Sequence, residues 1–253
     1  MPLAITRPVP AAIAHCELTH LDRTPIDVEV ARREHAAYER ALERLGYRVQ
    51  RLAAADDQPD SVFIEDTAVV VDEIAVITRP GAESRQEETG AVAAALRPLR
   101  PVAELSAPAT LDGGDVLRLG RVLYVGTGAR SNAEGAAQLR ALLDPFGYEV
   151  REAAFTGCLH LKTAVTAVGE GLVLANPEWV DARQFEGARA VEVDPSEPFA
   201  ANALLARGAV IHADAFPRTR RRLEAAGVRV VPVPAGELAK AEGGVTCCCL
   251  LLS

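Results

Sequence analysis

Four short segments of this chain carry side chains that could act together in catalysis. Residues 242–249 (EGGVTCCC) end in three adjacent cysteines, and residues 63–66 (FIED), 111–115 (LDGGD) and 157–162 (GCLHLK) hold carboxylates or a histidine. A thiol, a proton carrier and several anionic groups form a set that can bind a cation and attack it with sulfur. The sequence therefore indicates thiol chemistry on a positively charged carbon.

Cys247 is the strongest candidate for the nucleophile among the three adjacent cysteines. A thiol in an apolar run is more often a buried packing residue, so its neighbours have to decide its role. Gly243 and Gly244 allow a tight backbone turn just before it. We expect Cys247 at the mouth of a strand over residues 245–251, with the next two cysteines continuing inward.

His160 is the candidate for the proton carrier. It alternates with Leu159 and Leu161, so its side chain is predicted to share a sheet face with Cys158 and Lys162. The other histidines, which have no metal-binding spacing, are His15, His20, His35 and His212. The chain has neither a C-x-x-C nor an H-E-x-x-H motif. Zinc catalysis is therefore not expected.

Acidic residues interrupt an apolar run that otherwise looks like a buried strand. Glu65 and Asp66 lie within residues 62–71, and Asp60 stands just upstream. Adjacent carboxylates in a buried strand are costly unless a cation or hydrogen-bond donors pair with them. Such a run predicts a site that binds a positively charged group.

The chain repeats one pattern of secondary structure. Strand-like runs come in pairs, each followed by a helical pattern and a further strand. The pairs are residues 62–71 with 74–79, 115–119 with 122–126, 161–168 with 171–175, and 203–207 with 209–213; helical patterns cover 85–96 and 132–143. Spacings of about forty to fifty residues are typical of repeat architectures.

The two ends of the chain complete a fifth unit. Residues 4–8 (AITRP) nearly repeat residues 76–80 (VITRP), so the N-terminus looks like the second strand of a unit. Residues 245–251 can supply the missing first strand. The sequence predicts a closed ring of five ββαβ units, without open sheet edges, as a single domain over residues 1–253. The alternative is an ordinary open α/β sheet in which the two short segments are alike by coincidence.

Composition limits the partners of this chain. Its 253 residues, 49% of them hydrophobic, can bury a large core. A net charge of −8 disfavours nucleic acid and anionic membranes as partners. Five cysteines, an odd number with three adjacent, do not form a disulfide framework, and no apolar run approaches the roughly 18 residues of a membrane helix. A cytoplasmic protein in a reducing compartment is expected.

Five motifs in order carry a resemblance to a known family. QPDSVFIEDTAVV, ITRPGAESR, TLDGGDVL, GCLHLKTA and GGVTCC resemble the dimethylarginine dimethylaminohydrolases of the guanidino-group-modifying superfamily over essentially the whole chain. The resemblance implies a five-bladed α/β propeller (pentein). It also implies hydrolysis of N-methylated arginine to citrulline and a methylamine, through a covalent thiouronium on cysteine and without a metal or organic cofactor.

The resemblance assigns three catalytic residues and a set of acidic contacts. Cys247 becomes the nucleophile, His160 the acid and base, and Asp112 a carboxylate that contacts the guanidinium group. Asp66 becomes the second guanidinium partner, and Asp60 the acceptor for the α-ammonium group. Some relatives carry glutamate where Asp112 stands, a side chain longer by one methylene.

The resemblance assigns further binding residues around that centre. Glu65 becomes the neighbour of Asp60 and Asp66 in the acidic pocket, and Arg85 and Arg130 become the pair that holds the α-carboxylate. Leu18 resembles a lid residue, and Ala241 occupies a position whose backbone carbonyl lines the pocket. Asp115, also acidic, is not included among the chemical residues.

Two other functions fit part of the pattern. An arginine deiminase uses similar residues on unmethylated guanidine, but those enzymes carry an additional helical domain for which this chain has no room. A noncatalytic propeller could bind a guanidine ligand or a macromolecule without turnover, although it would not need a thiol, a histidine and acids together. The predicted partner is a small molecule, methylated arginine; a homodimer is compatible with the sequence, which does not fix the oligomeric state.

Overall fold

A computed structural model describes residues 1–252, and its strands are short and numerous. In chain order they are β1 (Leu3–Thr6), β2 (Arg48–Arg51), β3 (Ala68–Val70), β4 (Ala75–Ile77), β5 (Val102–Glu104), β6 (Val116–Leu119), β7 (Val122–Gly126), β8 (Glu149–Ala153), β9 (Val165–Gly169), β10 (Leu172–Ala175), β11 (Arg189–Glu192), β12 (Ala203–Ala206), β13 (Ala209–Ala213), β14 (Val230–Val233) and β15 (Leu250–Leu252). They form five mixed sheets of three strands each. A single open sheet, the alternative, is not found among these residues.

Each sheet repeats one connection. Strands β3, β6, β9 and β12 run antiparallel to the strand that follows, which in turn pairs parallel with the third strand of the sheet. In the remaining sheet β15 takes the place of the first strand: Leu3 pairs with Leu252 and Ile5 with Leu250, antiparallel, while β1 runs parallel to β2. The predicted pairing of the two ends of the chain is confirmed, and the number of sheets matches the five predicted units.

Helices connect the second and third strands in four of the five sheets. The α-helices are α1 (Val28–Arg44), α2 (Thr89–Leu96), α3 (Ala133–Leu143), α4 (Leu161–Ala164), α5 (Pro217–Ala225) and α6 (Gly236–Ala239). Helices α1, α2, α3 and α5 occupy the predicted position. Between β10 and β11 the connection contains only the 3-10 helix Ala182–Gln184, so the predicted ββαβ pattern is wrong for that unit.

The cores lie between these helices and the sheets. Leu139 and Leu143 of α3 are fully buried against Val76, Leu123 and Val125. Burying one such leucine contributes about 1.5–3 kcal/mol. The N-cap of this helix is Asn132, whose Oδ1 accepts the amide N–H of Gly135 at 2.8 Å. The inner strands β15 and β3, β6 and β9, and β9 and β12 also contact one another.

A helical turn precedes the first strand of every sheet. These turns are the 3-10 helices Ile64–Thr67, Gly113–Asp115 and Pro198–Ala201, the four-residue α4, and a turn over residues 245–248. All five lie at the same end of the inner strands. Four of them carry or adjoin predicted site residues, so the fold collects those residues at one end of the sheets.

Three predicted strands are therefore too long. In the 62–71 run only Ala68–Val70 is extended, in 161–168 the strand starts at Val165, and in 245–251 it starts at Leu250. Local hydrogen bonds favour the turns: Thr67 Oγ1 donates to the carbonyl of Ile64 at 2.7 Å, and the amide N–H of Thr163 donates to the carbonyl of His160 at 2.9 Å. The predictions that His160 sits on a strand face and that the last cysteines continue along a strand are wrong.

No helix within residues 1–252 is long and apolar enough to cross a membrane. Ser253, the last residue of the predicted domain, lies outside the described residues.

Candidate active site

His160 and two carboxylates form the centre of the site. His160 Nε2 lies 3.0 Å from Asp112 Oδ2, and His160 Nδ1 lies 4.0 Å from Asp66 Oδ1. Gly114 makes this approach feasible, because a Cβ there would stand 2.7 Å from His160 Nδ1 and 2.8 Å from Asp66 Oδ1. The imidazole therefore sits between two acids contributed by two other sheets.

The charge state of His160 follows from these neighbours. Burial alone would lower the pKa of the imidazole, but Asp66, Asp115 and Asp112 outweigh it and raise the pKa to about 9. Conversely, burial would raise the pKa of Asp66, but His160 and Arg85 lower it to about 2. At neutral pH the centre holds an imidazolium beside carboxylates, and the imidazolium can act as a proton donor.

Asp112 is held by backbone groups on two sides. Its side chain is completely buried, and Oδ1 accepts the amide N–H of Gly81 at 2.8 Å. Its own amide N–H donates to Ser131 Oγ at 3.0 Å. Because the carboxylate and the main chain are both fixed, Oδ2 is directed at His160.

Cys247 lies in the turn before β15, near Glu65 and Asp66. It is 8% exposed, and its Sγ accepts the amide N–H of Gly244 at 3.3 Å. Its carbonyl accepts the amide N–H of Glu65 at 3.0 Å, which joins the two segments. Burial, with Glu65 and Asp66, raises the pKa of the thiol to about 12. The resting cysteine is a thiol, and a bound cation would favour the thiolate.

The two glycines before Cys247 have a different role from the one predicted. Neither has a positive φ; the left-handed residue of this segment is Glu242, at φ +56. A Cβ on Gly243 would stand 2.2 Å from the ring of Phe63, and a Cβ on Gly244 would stand 2.3 Å from Asn202 Oδ1. The glycines let the cysteine turn dock against neighbouring turns.

Glu65 lies in a buried network with two residues that the sequence did not single out for chemistry. Lys162 Nζ donates to Glu65 Oε1 at 2.5 Å, and Thr246 Oγ1 donates to Glu65 Oε2 at 2.7 Å. These contacts join three of the five turns. A cavity of about 630 Å³ between the inner strands reaches all three residues but is lined by neither Cys247 nor His160.

The guanidinium N–H groups of Arg85 are already hydrogen-bonded to protein acceptors, unlike those of an arginine free to bind a substrate carboxylate. Its guanidinium donates to Asp66 Oδ2 at 2.6 Å and to Glu88 Oε2 at 3.0 Å. It also reaches the carbonyls of Phe63 at 3.0 Å and Asp60 at 3.3 Å, and the residue is 3% exposed. In this arrangement Arg85 organises the acids of the site.

Arg130 keeps most of its donors available. Its NH2 donates to Thr19 Oγ1 at 3.2 Å, and its NH1 lies 3.7 Å from Asp112 Oδ2. Asp60 Oδ2 accepts the amide N–H of Glu17 at 3.0 Å. Leu18, between these two contacts, is half-buried against the core cluster that contains Ala241. Residues 17–21 therefore lie against Asp60 and Arg130, and we call them the cover segment.

Asp115 is absent from the predicted site, yet it hydrogen-bonds to Ser131, the partner of the Asp112 amide, and to Leu161, the neighbour of His160. Its Oδ2 accepts Ser131 Oγ at 2.6 Å, and its Oδ1 accepts the amide N–H of Leu161 at 2.9 Å. Burial raises its pKa to about 6. The sequence signal was present in the second aspartate of LDGGD, but the turn interpretation accounted for it equally well.

The central acids and the histidine could hold a cation. Asp66, Asp112 and His160 each offer one ligand atom, and these atoms lie within 4.8 Å of one another. Such a group could coordinate a metal ion. It equally offers buried acceptors to a flat cation with several N–H donors, for which paired carboxylates are the usual partners.

Comparisons with known proteins agree with this geometry. No protein-family model matches the chain. The chain is 41% identical over 244 residues to an N(G),N(G)-dimethylarginine dimethylaminohydrolase of Streptomyces coelicolor, covering 96% of this chain and 93% of that protein. A second enzyme of that name, from Pseudomonas aeruginosa, is 36% identical over 223 residues, covering 87% of this chain and 88% of its own.

This chain belongs to the dimethylarginine dimethylaminohydrolase family. A solved structure of the Pseudomonas aeruginosa protein, a cysteine-to-serine variant in complex with citrulline, superposes with a TM-score of 0.93. That match has 34% identity and covers 98% of both chains. The predicted family is confirmed, while the roles assigned to individual residues of this member stay predictions.

Proposed function

We propose that this dimethylarginine dimethylaminohydrolase family member hydrolyses N-ω-methylated arginine to citrulline and methylamine or dimethylamine. The observation that carries the proposal is the buried imidazole of His160 between Asp112 and Asp66, together with the turn of Cys247, which is joined to Glu65, the neighbour of Asp66. A guanidinium group bound to the two carboxylates would bring its central carbon towards the thiol.

The first half of the reaction forms a covalent intermediate. The cationic substrate lowers the pKa of Cys247, and the thiol proton leaves to solvent. The thiolate attacks the guanidinium carbon, so that a C–S bond forms. His160, already an imidazolium, donates its proton to the methylated nitrogen as the C–N bond breaks and the amine departs.

The second half regenerates the enzyme. His160, now neutral, accepts a proton from a water molecule, whose oxygen attacks the thiouronium carbon. The C–S bond then breaks, the proton of the added hydroxyl group passes to the departing sulfur so that Cys247 returns as a thiol, and the former guanidine becomes the ureido group of citrulline. His160 ends as an imidazolium, ready for the next turnover. Asp112 holds the imidazole in place through both steps.

The amino-acid end of the substrate would bind under the cover segment. We assign the α-ammonium group to Asp60, with the Ala241 carbonyl nearby, and the α-carboxylate to Arg130. Arg85 contributes by orienting Asp66 and by adding positive charge, rather than as the main carboxylate contact. Leu18 would cover the bound substrate.

We further propose that the five sheets form the blades of one closed propeller, as a single domain over residues 1–253. The five cysteines are free, which supports a cytoplasmic location. A homodimer stays a prediction.

The test is citrulline formation from asymmetric dimethylarginine, monomethylarginine and arginine by the purified protein, with Cys247→Ser as the control for background. We expect citrulline from the methylated substrates and much slower citrulline formation from arginine. Faster turnover of arginine would make the protein a deiminase-like hydrolase. Tight binding of methylated arginine without citrulline from the wild type would make it a binding module.

A further inference from the structure

A single carboxylate holds the backbone of the cover segment. Glu242 Oε2 accepts the amide N–H of Thr19 at 2.9 Å, and Glu242 Oε1 accepts the amide N–H groups of His20 at 2.5 Å and Leu21 at 2.6 Å. Three consecutive backbone donors converging on one ionised group form a strong anion site, because hydrogen bonds to a charged acceptor are stronger than neutral ones. The donors come from residues more than two hundred positions away in the chain.

The backbone of Glu242 is itself unusual. Its φ of +56 lies in the left-handed region, where a side chain with a Cβ is strained and glycine is favoured. Such a conformation persists only when the surrounding structure compensates for it. Gly243 follows directly, so the chain places glutamate, and not the neighbouring glycine, at the strained position. The three hydrogen bonds are a compensation that glycine could not provide.

Glu242 also stands at a junction between the cover segment and the catalytic turn. Ala241 precedes it, and the turn that carries Cys247 follows within five residues. His20, Leu21 and Glu242 line a cavity of about 180 Å³ together with Gly243 and Gly244. The cover segment and the backbone before the nucleophile therefore meet at Glu242.

Two of the other ties of the cover segment use groups that the substrate would need, whereas a third, from Ser84 Oγ to Glu17 Oε1 at 2.6 Å, does not. Asp60 accepts the amide N–H of Glu17, and Arg130 donates to Thr19 Oγ1. Under the proposed function, on which this step rests, the α-ammonium group competes for Asp60 and the α-carboxylate competes for Arg130. When substrate binds, the cover segment loses those two contacts. Glu242 makes no contact that an amino acid would replace.

We propose that Glu242 is a positioning residue that keeps the cover segment closed over the site while substrate takes Asp60 and Arg130. The residue acts on substrate binding and not on the chemical step. Its loss leaves the catalytic groups in place but lets residues 17–21 open.

The test combines amide hydrogen exchange with kinetics in Glu242→Gln and Glu242→Gly. In the ligand-free protein, exchange at Thr19, His20 and Leu21 should accelerate by at least about tenfold in both variants, since each amide loses a bond to a charged acceptor. KM for dimethylarginine should rise by about tenfold or more, with kcat changed less than about threefold. Glu242→Gly should also melt at a higher temperature than Glu242→Gln, because glycine relieves the strained φ.

Glu197→Gln is the matched control. Glu197 is another carboxylate that accepts two backbone N–H groups, those of Arg218 at 3.0 Å and Thr219 at 2.7 Å, at the start of α5. It should leave KM and exchange at residues 19–21 unchanged. Unchanged exchange in the Glu242 variants, or an equal rise of KM in Glu197→Gln, would overturn the proposal. Exchange needs no substrate, so an absence of citrulline in the wild type would refute the proposed function and leave this inference testable.

Discussion

His160 Nε2 and Asp112 Oδ2 lie 3.0 Å apart, and both side chains are almost entirely removed from solvent. A histidine and an aspartate at this distance in a buried site stabilise the imidazolium form and fix the orientation of the ring. The pair joins turns from two different sheets, so its geometry depends on how those sheets pack together and not on one segment. This pair is the basis of the first two predictions.

Replacing either member of the pair should impair the chemical step. We expect His160→Gln or Asp112→Asn to lower kcat by about a hundredfold or more, the usual scale for removing a positioned acid or a preorganised charge. Single-turnover citrulline formation measures this directly, and circular dichroism checks the fold. Near-normal turnover in a folded His160→Gln protein would show that another group carries the proton.

The raised pKa of His160 also predicts how stability depends on pH. Because the folded-state pKa is about 9 and the unfolded value is 6.5, the folded state binds the proton more tightly. This contribution to stability is fully present below pH 6.5 and is lost as the pH rises towards 9. The free-energy difference of unfolding between wild type and His160→Gln should shrink over that range, by roughly 3 kcal/mol at most. Urea titrations at pH 6 and 9 test it, and a difference that grows with pH would contradict it.

The three adjacent cysteines should behave differently from one another. Cys247→Ser should abolish turnover, because a serine hydroxyl does not ionise in this site. Cys249 accepts Tyr38 Oη at 3.0 Å, and Cys248 donates to the carbonyl of Gly244 at 3.5 Å, so both are packing residues. Cys248→Ser and Cys249→Ser should retain turnover, with losses that follow the melting temperature. A covalent adduct trapped on Cys248 or Cys249, with Cys247 unmodified, would refute the assignment.

The sequence predicted the five strand units and the pairing of the two chain ends because strand pairs, helices and the repeated ITRP segments are local patterns. It placed Asp112, His160 and Cys247 in one site only through the family resemblance, since their approach depends on long-range packing. The extended runs around Glu65 and His160 were too long because the apolar pattern does not distinguish a buried turn from a buried strand. Local hydrogen bonds, such as that of Thr67 to the Ile64 carbonyl, decide between them.

Contacts to backbone groups were the hardest to predict. The carboxylate of Glu242 binds amide N–H groups of a distant segment, and the bridge from Asp115 to the amide N–H of Asp112 depends on the hydroxyl of Ser131. A sequence gives no direct sign of such partners. The residue types were visible, but each could equally have been a solvated acid or a turn residue.

Asp115→Asn should shift the pH dependence of activity more than it disturbs the fold. The amide oxygen can still accept the Leu161 N–H, and its NH₂ can donate to Ser131 Oγ, but a negative charge that helps to raise the pKa of His160 is lost. We expect the alkaline limb of kcat against pH to move towards lower pH in Asp115→Asn. Ser131→Ala is the comparison, since it removes the bridge and keeps the charge. If the alkaline limb of kcat against pH does not move in Asp115→Asn, Asp115 has only a structural role.

Replacing Arg85 should mainly lower the stability of the fold, whereas replacing Arg130 should mainly change substrate selectivity. Arg85 is paired with Asp66 and Glu88 in a buried cluster, so Arg85→Ala removes the cation that both acids share. Breaking a buried pair in this way costs about 3–5 kcal/mol, and we expect a clear loss of thermal stability. Arg130 has no comparable partner, and Arg130→Ala should melt close to the wild type.

The effect of Arg130→Ala should depend on the substrate. If Arg130 binds the α-carboxylate, each lost charge-assisted hydrogen bond costs about 1.5–3 kcal/mol, so kcat/KM for dimethylarginine should fall at least about tenfold. Agmatine has the guanidine but no carboxylate, so it should be a poor substrate of the wild type and lose nothing further in Arg130→Ala. Thr19→Val is the control, because it removes the hydrogen-bond partner of Arg130 and leaves the cation. Equal losses on agmatine and dimethylarginine would mean that Arg130 acts through Asp112 or the cover segment and does not recognise the carboxylate.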